Sequence, residues 1–165
     1  MQFHRPGDGK GSYGVRNYWY DAISDPGAGQ LQHLKRLILS RPYFDRVPDQ
    51  SVIVGENGTR YEYVTATRGR DYLFVYTYTG RPFEIRLGVL SGDRVKAWWY
   101  SPRDGSSQAI GDFPNRGTRR FTPPGVPPPG NDWVLVVDDA TKDFLAPGST
   151  NQALRPSRRS MKRKQ

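Results

Sequence analysis

A group of aromatic residues near the N-terminus is the first part of this sequence that could do chemistry. Sugar rings stack on aromatic faces, while amide and guanidinium groups can bind sugar hydroxyls. Aromatic clusters also commonly form hydrophobic cores, so both interpretations stay open. The residues that could contact a glycan are Tyr13, Arg16, Asn17 and Trp19.

A second aromatic group belongs to the segment 94–105, RVKAWWYSPRDG. Side chains alternate between the two faces of a strand, so Trp98 and Trp99 should point in opposite directions. We expect one ring in the core and the other against a second surface. Four residues of the predicted sheet could form a binding surface or a surface that packs on another domain: Trp98, Trp99, Tyr100 and Trp133.

The sequence gives little support for thiol, phosphate-binding or metal sites. The chain has no cysteine, which excludes disulfides, thiolate metal sites and thiol nucleophiles. The glycine-rich segment 8–12 lacks the spacing of a phosphate-binding loop. Asp138, Asp139 and Asp143 lack the spacing of an EF-hand, so we interpret them as solvated carboxylates rather than calcium ligands. The sequence therefore predicts no metal site and no cofactor.

The net charge of +9 is concentrated at the C-terminus. Residues 155–165 contain six lysines and arginines and no acidic residue, which leaves +3 for the rest of the chain. Such a composition cannot bury enough apolar surface to offset the entropy of ordering, so we predict a disordered basic tail. The tail could bind polyanions through charge, but a solvated tail is the favoured interpretation and nucleic acid is not an expected partner.

One helix is predicted over residues 25–40. Asp25 can cap its N-terminus and Pro26 suits the first helical position. A linker over residues 43–50 should follow, stiffened by prolines. The helix has an apolar stripe that needs a partner surface, and its residues are Leu31, Leu34, Leu37 and Ile38.

The rest of the chain has β signals. Short runs separated by hairpin-type turns predict an antiparallel β-sandwich of about eight strands. Asn57-Gly58-Thr59 fits a glycosylation sequon, but Asn-Gly is the stronger signal for a hairpin. The predicted strands are 52–54, 61–67, 72–78, 83–87, 94–100, 109–113, 118–121 and 133–137.

Several separated motifs, in one order, carry a family resemblance. They are DPGAGQLQHLKRLILSRPYFDRVPDQSVI, ATRGRDYLFVYTYTGRPFEIRL, SGDRVKAWWYSPRDG, AIGDF, RFTPP and NDWVLVVDDA. Over residues 9–140 the sequence resembles the C-terminal part of the apiosidase-like glycoside hydrolases. In that family a (β/α)₈ barrel is followed by a β-sandwich described as a collagen-binding domain of a collagenase.

The resemblance implies the first two of three regions. Residues 1–45 would be the last loop and helix of a glycoside hydrolase barrel and 46–145 the β-sandwich, while 146–165 form the disordered basic tail that composition predicts. Family catalysis uses two carboxylates on earlier barrel strands, and nothing here matches those positions. Asp21, Asp25, Asp45 and Asp49 fall in a loop, a cap and a linker, so we expect no catalytic residue.

The expected function is therefore that of a noncatalytic accessory domain that supports a catalytic barrel in cis. The alternative is a carbohydrate- or collagen-binding module that uses exposed aromatic side chains, with a polysaccharide or other extracellular polymer as its partner. Polyanion binding through the tail is a weaker alternative.

Localisation is not determined by the sequence. No apolar run approaches the roughly 20 residues that span a bilayer, so a membrane is not an expected partner. The resemblance suggests an extracytoplasmic protein, although the N-terminus lacks the apolar centre of a signal peptide.

Overall fold

A computed structural model describes residues 19–126 and 130–149 of the chain. The helix α1 spans Trp19–Ala22 and the helix α2 spans Pro26–Leu39. The predicted helix at 25–40 is thus confirmed, whereas α1 lies in a segment predicted to be a loop. Within the described residues nine strands follow: β1 Val47–Pro48, β2 Ile53–Val54, β3 Thr65–Arg68, β4 Tyr72–Thr77, β5 Phe83–Arg86, β6 Arg94–Tyr100, β7 Ser107–Pro114, β8 Thr118–Phe121 and β9 Trp133–Asp139.

The strands form two antiparallel sheets. The larger sheet has the order β1-β3-β4-β9-β6-β7 and the smaller has the order β2-β5-β8. Strand β9 lies between β4 and β6, which accounts for its nearly continuous apolar sequence. The predicted mainly-β, antiparallel sandwich is confirmed.

The main core includes inward-facing residues of both sheets. Trp99 lies at its centre, with the rings of Phe83, Phe121 and Trp133 edge-on at centroid distances of 6.0, 6.4 and 6.4 Å. Aromatic side chains therefore supply much of the buried area, as expected for a chain with a low apolar fraction. The fully buried aliphatic residues of this core include Val52, Val64, Leu73, Val75, Ile85, Val95, Leu135 and Val137.

A second apolar cluster covers the outer face of the larger sheet. Leu37 of α2 packs on this face, so the helix docks on the sandwich. The strands beneath the helix are buried on both faces, which explains why β4 and β9 carry apolar residues at successive positions. The sheet residues of the cluster are Tyr72, Phe74, Tyr100, Val134 and Val136.

Three local predictions were wrong. The linker 43–50 contains β1, which pairs with β3. The predicted strand 61–67 begins as a 3₁₀ helix, Arg60–Glu62, and is extended only from Thr65. Asn57 and Gly58 form no hairpin, because the chain passes there from β2 in the smaller sheet to β3 in the larger.

The fold continues past its predicted end at residue 145. Pro147 is buried, and a side chain added at Gly148 would meet the ring of Tyr100 at 2.5 Å. Residues 146–149, predicted as the start of the tail, therefore lie against the fold, and residues 150–165 lie outside the described part of the chain. Among the described residues no helix is long and apolar enough to cross a bilayer.

Candidate functional site

Most of the residues predicted to contact a glycan precede the described part of the chain, which begins at Trp19. Tyr13, Arg16 and Asn17 are outside it. Trp19 begins α1, but its side chain is also outside the described part. Their role stays a prediction.

The two tryptophans of β6 point to opposite faces, as predicted. Trp99 enters the main core, while Trp98 packs against the cluster on the outer face. Tyr100 is fully buried under α2, and its hydroxyl donates a hydrogen bond of 2.8 Å to the carbonyl oxygen of His33. Because Trp99 and Tyr100 are buried within this chain, neither side chain can form a binding or barrel-packing surface.

The other two predicted aromatic residues are half-buried, and a cation lies over each ring. Lys96 Nζ is 4.7 Å from the centroid of the Trp98 ring. The Arg103 guanidinium is 5.1 Å from the centroid of the Trp133 ring, whose Nε1 donates to Asn131 Oδ1 at 3.1 Å. The four aromatic residues therefore do not form one exposed strip.

Two of the three aspartates near β9 are not solvated, contrary to the prediction. Asp138 is buried against Arg41. Asp139 is buried too and accepts hydrogen bonds from the Ser91 hydroxyl at 2.6 Å and from Thr141 N at 2.9 Å. Asp143 is exposed, as expected. Side-chain and backbone donors of this chain bond to both buried carboxylates, so these two aspartates stabilise the fold.

An apolar groove between α2 and the outer face is the candidate functional site. It has a volume of about 380 Å³ and is lined by Gly27, Gln30, Leu31, Leu34, Tyr76, Pro102 and Asp132. Leu31 is 65% exposed although it belongs to the apolar stripe of the helix. Exposed apolar patches beside a polar rim mark interaction surfaces on soluble proteins.

Three polar side chains line the groove, namely Gln30, Tyr76 and Asp132. Burial raises the pKa of Tyr76 to about 12, and the negative charge of Asp132 adds to this effect. The Tyr76 phenol is therefore neutral at physiological pH and presents no charge to a partner. Burial also raises the pKa of Asp132, although Arg103 NH1 lies 3.7 Å from its carboxylate and opposes the shift.

The way α2 is anchored explains why the groove is open. Leu37 is buried and Arg46 NH2 donates to the carbonyl oxygen of Ile38 at 3.0 Å, so contacts hold the C-terminal half of the helix. Leu31 in the N-terminal half and Leu34 just past the middle of the helix are 65% and 46% exposed. Sequence reasoning recognised that the stripe needs a partner, but not which part of it stays uncovered.

Residues 47–138 match the family model described as "Putative collagen-binding domain of a collagenase". This match covers more than half of the chain. The chain belongs to this collagen-binding domain family. Its matched region begins at β1 and ends within β9, so it corresponds to the two sheets.

Two solved structures are similar to this chain over a longer region than the family model, which covers only the two sheets. A protein named "Glycoside hydrolase" is 51% identical, with a TM-score of 0.79, over 88% of this chain and 32% of its own. A glycoside hydrolase family 5 protein from Bacteroides vulgatus is 49% identical, with a TM-score of 0.78, over the same shares. The chain thus spans about a third of the length of these relatives. A search of curated proteins found no significant match.

Proposed function

We propose that this chain is a noncatalytic accessory domain that packs on the catalytic barrel of a glycoside hydrolase and supports it. The observation that carries the proposal is the open groove, which Leu31 and Leu34 line while 65% and 46% of these side chains stay exposed. Two similar structures are named glycoside hydrolases, and the chain spans only 32% of each. The remaining part of such a protein is the partner that we assign to the groove, in cis in the parent family.

In this proposal α2 is shared between two bodies. Leu37 packs on the sandwich, whereas the exposed parts of Leu31 and Leu34, on the same apolar stripe, bind the barrel. Burying a leucine side chain contributes about 1.5–3 kcal/mol, so these two residues would be a substantial part of such an interface. Residues 1–45 would then be the end of the barrel and residues 46–145 the sandwich, as the apiosidase-like resemblance implies.

The acidic residues of the N-terminal region fit a noncatalytic role. Glycoside hydrolysis requires two carboxylates that flank the scissile bond at a fixed separation. Asp21, Asp25 and Asp45 are solvent-exposed. Asp49 forms an ion pair with Arg68, whose Nε lies 2.6 Å from Asp49 Oδ2. None of the four lies on a strand of the described structure.

The test is complex formation with the missing body. The chain is mixed with the part of the Bacteroides vulgatus relative that it does not cover, and association is measured by analytical ultracentrifugation. We expect a one-to-one complex that the double substitution Leu31→Asp and Leu34→Asp weakens by more than about tenfold, because two carboxylates would be buried.

Leu39→Asp is the matched control. Leu39 is 63% exposed on the same helix but does not line the groove, so the complex should survive this change. If the unmodified chain forms no complex, or if Leu39→Asp disrupts it as strongly, the groove is not the docking surface.

Carbohydrate or collagen binding is the second candidate, favoured by the family description. Trp98 and Trp133 are the two predicted aromatic residues that keep partial exposure, yet Lys96 and Arg103 cover their rings. Those residues therefore support polymer binding less strongly than the groove supports docking on a barrel.

A further inference from the structure

Two exposed tyrosines, Tyr61 and Tyr78, have rings in contact, and a third exposed tyrosine, Tyr63, lies two residues after Tyr61. Tyr61, Tyr63 and Tyr78 are 73%, 43% and 36% exposed. The rings of Tyr61 and Tyr78 have centroids 5.4 Å apart and are inclined by 36°. Tyr78 directly follows β4, two residues after Tyr76 of the groove, so this tyrosine platform borders the groove.

The loop that carries Tyr61 and Tyr63 is rigidly held. The Asn57 side chain takes the place of a neighbouring strand, because it bonds both the N–H and the carbonyl oxygen of Val64 at 3.0 and 2.9 Å. The Arg81 guanidinium then donates to the carbonyl oxygens of Glu62, at 2.7 Å, and of Asn57. Exposed aromatic rings on such a braced loop are pre-organised, which lowers the entropy lost when a ligand binds.

The backbone at Arg60 is strained. Its φ is 52°, in the left-handed region that a residue with a side chain seldom adopts. Strain of this kind persists only where the surroundings enforce it, and it is concentrated at functional sites. Here the strained residue directly precedes Tyr61 and opens the 3₁₀ helix that presents its ring.

We propose that Tyr61 and Tyr78 form a stacking platform for a sugar ring of a polysaccharide. Tyrosine suits this role because its ring face is apolar while its hydroxyl bonds polar groups. The Tyr63 hydroxyl accepts a hydrogen bond from Gln50 Nε2 at 3.0 Å, so its own hydrogen can be donated to a sugar hydroxyl. The platform needs no barrel, and this inference does not depend on the docking function proposed for the groove.

The ring spacing favours a sugar over a proline-rich chain. Residues on one face of a polyproline II helix recur every three residues, about 9 Å apart at roughly 3.1 Å per residue. The ring centroids here are 5.4 Å apart, closer than that repeat, and the ring planes are inclined by 36°. A single sugar ring therefore fits the Tyr61–Tyr78 pair better than successive prolines do.

The test is affinity electrophoresis of the full chain through gels that contain soluble pectin, xylan, arabinogalactan or mixed-linkage glucan. At least one of these polysaccharides should retard the chain. The double substitution Tyr61→Ala and Tyr78→Ala should weaken that retardation at least about tenfold, because both stacking faces are lost. Tyr61→Phe keeps the ring and should keep most of the binding.

Phe44→Ala is the control. Phe44 is an exposed aromatic residue that lies outside the platform, so its removal should change nothing. Melting temperatures of all variants show that each one folds. The inference is overturned if no polysaccharide retards the chain, if the double variant binds as well as the unmodified chain, or if triple-helical collagen is the only polymer bound.

Discussion

Arg41 and Asp138 form a buried, bidentate ion pair between the end of helix α2 and strand β9. Arg41 Nε and NH2 lie 2.7 and 2.6 Å from the two carboxylate oxygens. The same guanidinium donates to the carbonyl oxygen of Leu145 at 3.1 Å and lies over the ring of Phe144, 4.6 Å from its centroid. One arginine thus joins the helix, the larger sheet and the segment after β9. The helix and the sandwich therefore form one packed body.

The first prediction concerns this pair. Arg41→Met should lower the free energy of unfolding at neutral pH by about 3–5 kcal/mol, because it leaves Asp138 buried without its partner. Arg68→Met is the matched control, since it removes only the partly exposed partner of Asp49 and should cost about 0–1 kcal/mol. Urea denaturation of both variants measures the difference, and equal losses would contradict the assignment.

The pH dependence of the Arg41→Met variant follows from the same burial. Burial raises the pKa of Asp138 above its ordinary value of 3.8, and hydrogen bonds from Arg41 oppose the shift. Without Arg41 the folded-state pKa should rise further, so stability is lost as pH rises from the unfolded value toward the folded one. The cost of the substitution should therefore be smaller near about pH 4 than at about pH 7.

Short-range patterns were sufficient to predict α2 and the strands β4, β6 and β9. Their apolar periodicity is strong, and the opposite orientations of Trp98 and Trp99 followed from strand geometry alone. The carboxylate of Asp138 was misjudged because its partner is 97 residues away in sequence. No local signal reports such a pairing.

The tyrosine platform was missed for a related reason. The segment around Tyr61 alternates like a strand, yet the Asn57 side chain and Arg81 satisfy its backbone groups. Local propensity was thus overridden by hydrogen bonds from outside the segment. The sequence predicted the apolar stripe of α2 that lines the groove. It could not predict which turn of the helix the sheet covers, and therefore not where the groove stays open.

The second prediction concerns the basic C-terminus. Deleting residues 155–165 removes six positive charges. Retention on heparin should fall sharply and lose most of its salt sensitivity, while the melting temperature stays almost unchanged. A melting temperature lowered by several degrees would mean that these residues pack against the domain.

The third prediction is that the isolated chain hydrolyses no aryl glycoside. In the proposed accessory role the chain supplies no pair of carboxylates on barrel strands, and glycoside hydrolysis needs such a pair for acid catalysis and for attack on the sugar. Release of nitrophenol from a panel of aryl glycosides measures this directly. Turnover that disappears on Asp21→Asn or Asp25→Asn would overturn the noncatalytic assignment.

The last prediction concerns the unequal anchoring of helix α2. Its C-terminal half is fixed by Leu37 and by the hydrogen bond from Tyr100 to His33 O. Its N-terminal half contains Gly27 and Gly29, and the Asp25 side chain makes no capping hydrogen bond. Most helix stability in proteins comes from tertiary packing, and glycine in a helix costs about 1 kcal/mol relative to alanine.

Hydrogen exchange should therefore show a gradient within the helix. Amides of residues 27–32 should exchange far faster than those of β4 and β6, with residues 37–39 between the two. Adding the part of the Bacteroides vulgatus relative that this chain does not cover should slow exchange at residues 27–34, because the proposed complex would cover Leu31 and Leu34. Equal protection of the whole helix and the sheet in the isolated chain would contradict this prediction. It would mean that α2 needs no second surface, and that the open groove is not a sign of a missing partner.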